Sequence, residues 1–177
     1  MKLEIDADAQ ARIDRVSQHL PKGNDLTLVA LKGHLLVEKA LDEVIATGCV
    51  EPQHLEKVEI PFRVKAALAR ALFGHILWRG VWPLIKSLNT IRNDLAHNLD
   101  SPKLQERIIH FLSVRREQAP LIHDAPQIPI DPSEIADCFR SDVSMLLGQL
   151  EGGVIMIRTY SRSAQPPVAD ASQAVHS

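Results

Sequence analysis

The stretch Trp82-Pro83-Leu84-Ile85-Lys86-Ser87-Leu88-Asn89-Thr90-Ile91-Arg92-Asn93-Asp94-Leu95-Ala96-His97-Asn98 sets Leu84, Leu88, Ile91 and Leu95 at steps of three and four. At about 100° per residue these side chains and Leu99 share one face of an α-helix, whereas a half-buried strand would alternate every second residue. Pro83 suits the first turn, where its missing N–H costs no helical hydrogen bond. A helix is therefore expected over about residues 83–98, its apolar stripe turned to a core. Asn89, Asn93 and His97 follow at steps of four on the other side, so they cannot all serve that core. Arg92 lies at the border of the stripe, about 140° from His97. The two converge only if Arg92 reaches round the helix or a partner surface closes over both, as a cleft between two chains would.

Upstream, residues 62–78 carry Val64, Leu68, Leu72, Ile76 and Leu77 in the same helical rhythm, broken at Gly80. Before them, a run capped by Asn24 or Asp25 and reaching about Thr47 has Leu28, Leu31, Leu35, Leu41, Val44 and Ile45 around most of its circumference. That pattern predicts a central helix. Gly48 is its natural stop, and Pro52 and Pro61 bracket a connector with one turn over residues 54–58. A first amphipathic helix is expected over 6–20, ended by Pro21-Lys22-Gly23.

Downstream, Ser101-Pro102 predicts the cap and first position of a helix over 102–116, with Ile108, Ile109, Phe111 and Leu112 inward. Pro120, Pro126, Pro129 and Pro132 exclude regular helix from the segment 118–132, which reads as a surface connection. Asp131-Pro132-Ser133-Glu134 has the form of a capping box, opening a helix with Ile135, Phe139, Val143, Leu146 and Leu150 inward. Past Gly152-Gly153, the run Val154-Ile155-Met156-Ile157 fits either a continuing helix or a short strand, and Gly148 and Gly152 would let another helix approach closely. The expectation is an all-α protein: an antiparallel helical bundle of about five to six helices in one domain over 1–160, with a flexible tail over 161–177.

The composition narrows the function classes. A chain of 177 residues, 45% hydrophobic and 24% charged, fits one soluble globular domain. A net charge of −2 excludes a generally polycationic nucleic-acid binder, so any such contact must use a local patch. Cys49 and Cys138 have neither metal-site nor disulfide-scaffold spacing, and no secretion-type leader or long apolar run is visible. A cytoplasmic protein with no membrane partner, no metal and no cofactor is the resulting expectation. Aromatics at 4% are too few for the stacking platforms of sheet-type RNA binders.

Arg92-Asn93 followed by three residues and His97 resembles the signature of the HEPN superfamily at its shortest spacing. The flanking Trp82-Pro83-Leu84-Ile85-Lys86-Ser87-Leu88-Asn89 and Asp94-Leu95-Ala96-His97 resemble members of that superfamily that include the mannitol operon repressor family. The resemblance spans about residues 24–111 and is absent beyond 116. It implies a helical bundle that forms a homodimer with two motif helices side by side. In active members such a site is a metal-independent endoribonuclease, acting on RNA in toxin–antitoxin or phage-defence settings, and the implied catalytic residues are Arg92, Asn93 and His97. The chemistry suits them: an imidazole with an ordinary pKa near 6.5 can move the 2′-hydroxyl or leaving-group proton. A guanidinium can hold the scissile phosphate in a two-pronged grip, and an amide can orient either.

Independently of that resemblance, the residues themselves leave a plainer reading open, in which Arg92, Asn93 and His97 are a solvated helix face. Between Pro61 and Asn93 the charged residues are Arg63, Lys65, Arg70, Arg79, Lys86 and Arg92 with no acid, against 7 basic and 11 acidic residues over positions 1–60. Arg70, Arg79 and Lys86 are the candidate RNA-binding cations. Asn89, His34 and Glu38 are candidate supporting residues. His34 and Glu38 lie one helical turn apart, and Glu38 either orients Arg92, takes Lys39 as its partner, or forms a surface pair with His34. A zinc site built on them lacks any recognised spacing, and the other histidines read as structural or surface residues. The alternative from another class is a non-catalytic regulatory module like the mannitol operon repressor family. There, a cognate antitoxin or regulatory protein would take the same face.

Overall fold

The structure, a computed structural model, describes residues 18–98, 101–118 and 131–163. Most of the helix expected over 6–20, most of the proline-rich segment 118–132 and most of the tail lie outside the described residues. Five α-helices are present among those described, α1 (Leu26–Gly48), α2 (Phe62–Phe73), α3 (Val81–His97), α4 (Leu104–Glu117) and α5 (Pro132–Ser163), with a 3-10 turn at Pro52–Leu55 and no strand.

Asp25 starts α1: its carboxylate accepts the Leu28 N–H at 2.9 Å, satisfying one of the donors that a helix start leaves unpaired. Along α1, Val29, Ala30, Gly33, His34, Val37, Ala40, Leu41, Val44 and Ile45 are buried. α1 packs on α5, α2 and α3, which makes it the central helix. Leu28 and Leu35, two of the apolar residues spread around its circumference, are 40% and 64% exposed. Gly33, His34, Val37 and Ala40 take the inward arc because small residues let α5 approach closely. Fully burying each large aliphatic of α1 contributes about 1.5–3 kcal/mol.

Three helix limits differ from the sequence expectation. α2 stops at Phe73, not near Trp78; the Gly74 N–H still bonds to the Arg70 carbonyl, and residues 74–80 turn the chain into α3. α3 begins at Val81, so Pro83 is the third residue of its first turn. α4 begins at Leu104, because Ser101-Pro102-Lys103 forms a turn in which the Ser101 carbonyl accepts the Leu104 N–H. The Asp131 cap holds, its carboxylate accepting the Ser133 N–H at 2.8 Å.

Helix α5 runs unbroken through Gly152-Gly153, which settles the helix-or-strand ambiguity of residues 154–157 in favour of helix and carries the helix three residues into the expected tail. Tertiary burial of Val154 and Ile157 outweighs the roughly 1 kcal/mol that each mid-helix glycine costs. The small-residue contact also moves: Gly152 faces open space, while a Cβ on Gly153 would collide with the Leu77 side chain. Edge-to-face packing of Phe111 on Phe139, ring centroids 5.2 Å apart, joins α4 to α5 at the centre of the core.

Candidate nucleic-acid interface

The buried side of α3 is Val81, Trp82, Leu84, Ile85, Ser87, Leu88, Ile91 and Leu95, as its apolar rhythm requires. Arg92, Asn93, Ala96 and His97 are exposed at its C-terminal end, and His97 is its last helical residue. Arg92 Nη1 donates to Asn93 Oδ1 at 3.4 Å, a long bond that leaves the guanidinium largely free for a ligand. The end of the helix is held from the other side: Arg107 Nε donates to Asp94 Oδ2 at 2.8 Å, tying α3 to α4. A single chain therefore presents Arg92 and His97 on the outside and does not bring them together.

Between α2 and α3 runs an open groove of about 820 Å³. Arg63, Arg70, Arg79 and Lys86 line it with Trp82 and Asn89, and no acidic residue does. Helical spacing explains the gathering, since Arg63 and Arg70 are seven residues apart, two turns along one face of α2. All four cations are exposed, and among the described residues none forms an ion pair. By contrast Lys65, Arg107, Arg140 and Arg158 each sit within 3.0 Å of a carboxylate. The sequence-predicted cations Arg70, Arg79 and Lys86 thus share one groove, and Arg63 joins them.

Two supporting residues behave differently from the sequence expectation. His34 is buried, not on the surface: it stacks on Phe62 with ring centroids 4.1 Å apart, and its Nε2–H donates to Asn89 Oδ1 at 3.2 Å. Asn89 is consequently half-buried and faces α1, apart from the exposed Asn93 and His97. Burial, above all, pushes the His34 imidazole below its usual pKa range, and the nearby Arg92 charge acts the same way, while the Asn89 bond and Glu38 oppose it.

Glu38 pairs with neither Arg92, Lys39 nor His34. Its Oε1 accepts from Lys65 Nζ at 3.0 Å, and the same ammonium reaches Asp42 Oδ2 at 2.8 Å. The lysine wins because α2 lays it across α1 between two carboxylates one turn apart, whereas Arg92 is carried outward on α3. Lys65 pairing, Phe62 stacking and the Asp94–Arg107 bond were not foreseen; each joins different helices, and no local pattern signals it. Lys65, Glu38 and Asp42 border a second groove of about 730 Å³ on the far side of α2, with Glu56 and Glu59. One flank of α2 is thus basic and the other acidic.

Among the described residues no group of three or more His, Cys, Asp or Glu is placed to hold a metal ion, and no helix is long and apolar enough to cross a membrane. Burial raises the Cys138 thiol, which disfavours the nucleophilic thiolate. His19, His54, His75 and His110 are exposed, with His54 bonded to Glu51 at 2.8 Å. No known family model, curated protein or solved structure matches the chain.

Proposed function

We propose that the protein is a HEPN-like, metal-independent endoribonuclease, acting as a homodimer with Arg92, Asn93 and His97 as its catalytic residues. The observation that carries this reading is a set of unpaired cations on one helix pair: Arg63, Arg70, Arg79 and Lys86 in an acid-free groove, with Arg92, Asn93 and His97 exposed farther along the same α3. Phosphodiester recognition needs uncommitted cations, and these four gather in one groove, whereas Lys65, Arg107, Arg140 and Arg158 are each committed to a carboxylate. In the reaction the RNA 2′-oxygen attacks the adjacent phosphorus and the bond to the 5′-oxygen breaks. A 2′,3′-cyclic phosphate and a 5′-hydroxyl result. One His97 takes the 2′-hydroxyl proton and the His97 of a second copy protonates the leaving oxygen, while Arg92 steadies the charge on the phosphate. Two copies are required because Arg92 and His97 diverge on one helix. A toxin–antitoxin or phage-defence setting is the context the resemblance implies.

One observation favours a second reading. Val64, Leu68 and Leu72 are each 38% exposed at steps of four on α2, an apolar stripe suited to a protein surface. A regulatory module like the mannitol operon repressor family would use it to bind a protein. The deciding experiment is cleavage of end-labelled total RNA in EDTA by the wild type and by His97→Ala. Cleavage by the wild type alone, leaving cyclic phosphate ends, supports the ribonuclease; inactivity of a folded wild-type dimer overturns it.

A further inference from the structure

We infer that the groove between α2 and α3 is a preorganised phosphodiester-binding subsite for single-stranded RNA, in which Asn89, oriented by the buried His34, is the neutral hydrogen-bond donor among the cations. The inference rests on the ribonuclease reading and locates RNA contacts away from the cleaved bond: Asn89 precedes His97 by eight residues, about 12 Å along α3. The tautomer of His34 sets which end of the Asn89 amide meets the ligand. Asn89 Oδ1 faces His34 Nε2 at 3.2 Å, an arrangement that needs the proton on Nε2 and leaves the amide NH2 for the groove that Asn89 lines. An NH2 beside four uncommitted cations recognises an anion; the opposite flip would present a carbonyl oxygen and repel one. The buried imidazole is itself immobilised by stacking on Phe62, which also lines the groove. Asn89 is thereby set before ligand arrives, and little ordering remains to be done on binding.

The charge layout selects a polyanion and directs it. Glu38, Asp42, Glu56 and Glu59 on the other flank of α2 repel phosphates, so the field across α2 draws a strand toward the arginine side. A volume of about 820 Å³ falls within the range of binding clefts and leaves room for a short run of nucleotides. His34 is a positioning residue here, acting through Asn89 without touching the RNA.

The test measures binding of a short, fluorescent 2′-O-methyl oligoribonucleotide, which cannot be cleaved, to the full-length protein by anisotropy across a salt series. Arg70→Gln should lower the slope of log affinity against log salt by about 0.7, the value for one phosphate on a single strand. Asn89→Ala should weaken binding about tenfold at every salt concentration with the slope unchanged, because it removes a neutral donor. His34→Ala should reproduce that loss and add nothing in the Asn89→Ala background. Where His34→Ala does not fold, Asn89→Asp carries the test, with an expected loss larger than that of Asn89→Ala. Wild-type affinity and slope in the Arg70 and Asn89 variants, with RNA still bound and cleaved, would overturn the subsite and leave the ribonuclease standing. Equal affinity for polyglutamate would overturn it in favour of an acidic protein ligand. Failure of the wild type to bind or cleave any RNA removes the ribonuclease reading and this inference together.

Discussion

Gly33 on α1 packs directly against Val143 of α5, and replacing it with alanine tests how tightly the two helices are locked. An added Cβ would sit 2.8 Å from Cγ1 of Val143 and 3.8 Å from Cδ2 of Leu20. Val143 is fully buried and β-branched, so its methyl cannot swing aside as the end of a leucine could. The helices must separate by a few tenths of an ångström instead, and overpacking of this kind costs about 1–3 kcal/mol. Removing a mid-helix glycine returns up to about 1 kcal/mol. The net effect of Gly33→Ala is a destabilisation of about 1 kcal/mol, or a melting temperature about 2–4 °C lower for a chain of this length. Val143→Ala alone should cost about 2 kcal/mol through two lost methyl groups and the void they leave. In the double variant the new methyl of residue 33 occupies part of that void, so the two losses should fall short of their sum by about 1 kcal/mol. Urea denaturation of the four proteins measures this cycle. Additive losses, or a Gly33→Ala protein stabilised by the full helix-propensity gain, would refute the close-packing argument.

Other outcomes follow from the proposed site and from the core. His97→Ala should abolish RNA cleavage and leave far-UV circular dichroism unchanged, since the side chain is exposed at a helix end; an active variant would sink the assignment. Arg92→Lys should lose most activity because an ammonium cannot reproduce the two-pronged guanidinium grip, as single-turnover cleavage rates will tell. Burial holds the His34 imidazole below its ordinary value of 6.5, so as pH falls the unfolded chain takes up the proton first. The stability that neutral His34 contributes is therefore complete above about pH 6.5 and is lost as pH drops toward the lowered native pKa. Urea midpoints across that interval should fall less steeply with acidification in His34→Gln, and an unchanged pH dependence would exclude the linkage. Phe139→Ala should cost about 3–5 kcal/mol in the same assay, as it empties the fully buried partner of Phe111.

The helices were legible in the residues wherever a face and a cap agreed. Asp25, Asp131 and the stripe Leu84, Leu88, Ile91, Leu95 act over a few residues, so their spacing predicts their outcome. Local signals left the outcome open where they compete with packing. Gly152-Gly153 is a weak point in an isolated helix, yet burial of Val154 and Ile157 carries α5 through it. Leu35 belongs to an apolar run but is exposed, because the inward arc of α1 goes to Gly33, His34 and Val37. Within the site, the outward position of Asn93 and His97 and the concentration of cations upstream of them were readable from spacing, whereas Arg92, set by spacing at the border of the apolar stripe, is exposed.

The sequence by itself determined an all-helical protein, the face that α3 turns to the core, and a run of six cations without an acid from Pro61 to Asn93. Each of these is set by neighbours within two turns of the chain. Only the tertiary structure decided which charges stay free. Glu38 meets Lys65 from 27 positions away, and His34 meets Asn89 from 55. Arg63, Arg70, Arg79 and Lys86 come to line one groove because α2 lies against α3. A carboxylate or a buried imidazole takes whichever partner packing brings within about 3 Å, and the distance between helices is a property of the packed core that no local spacing encodes.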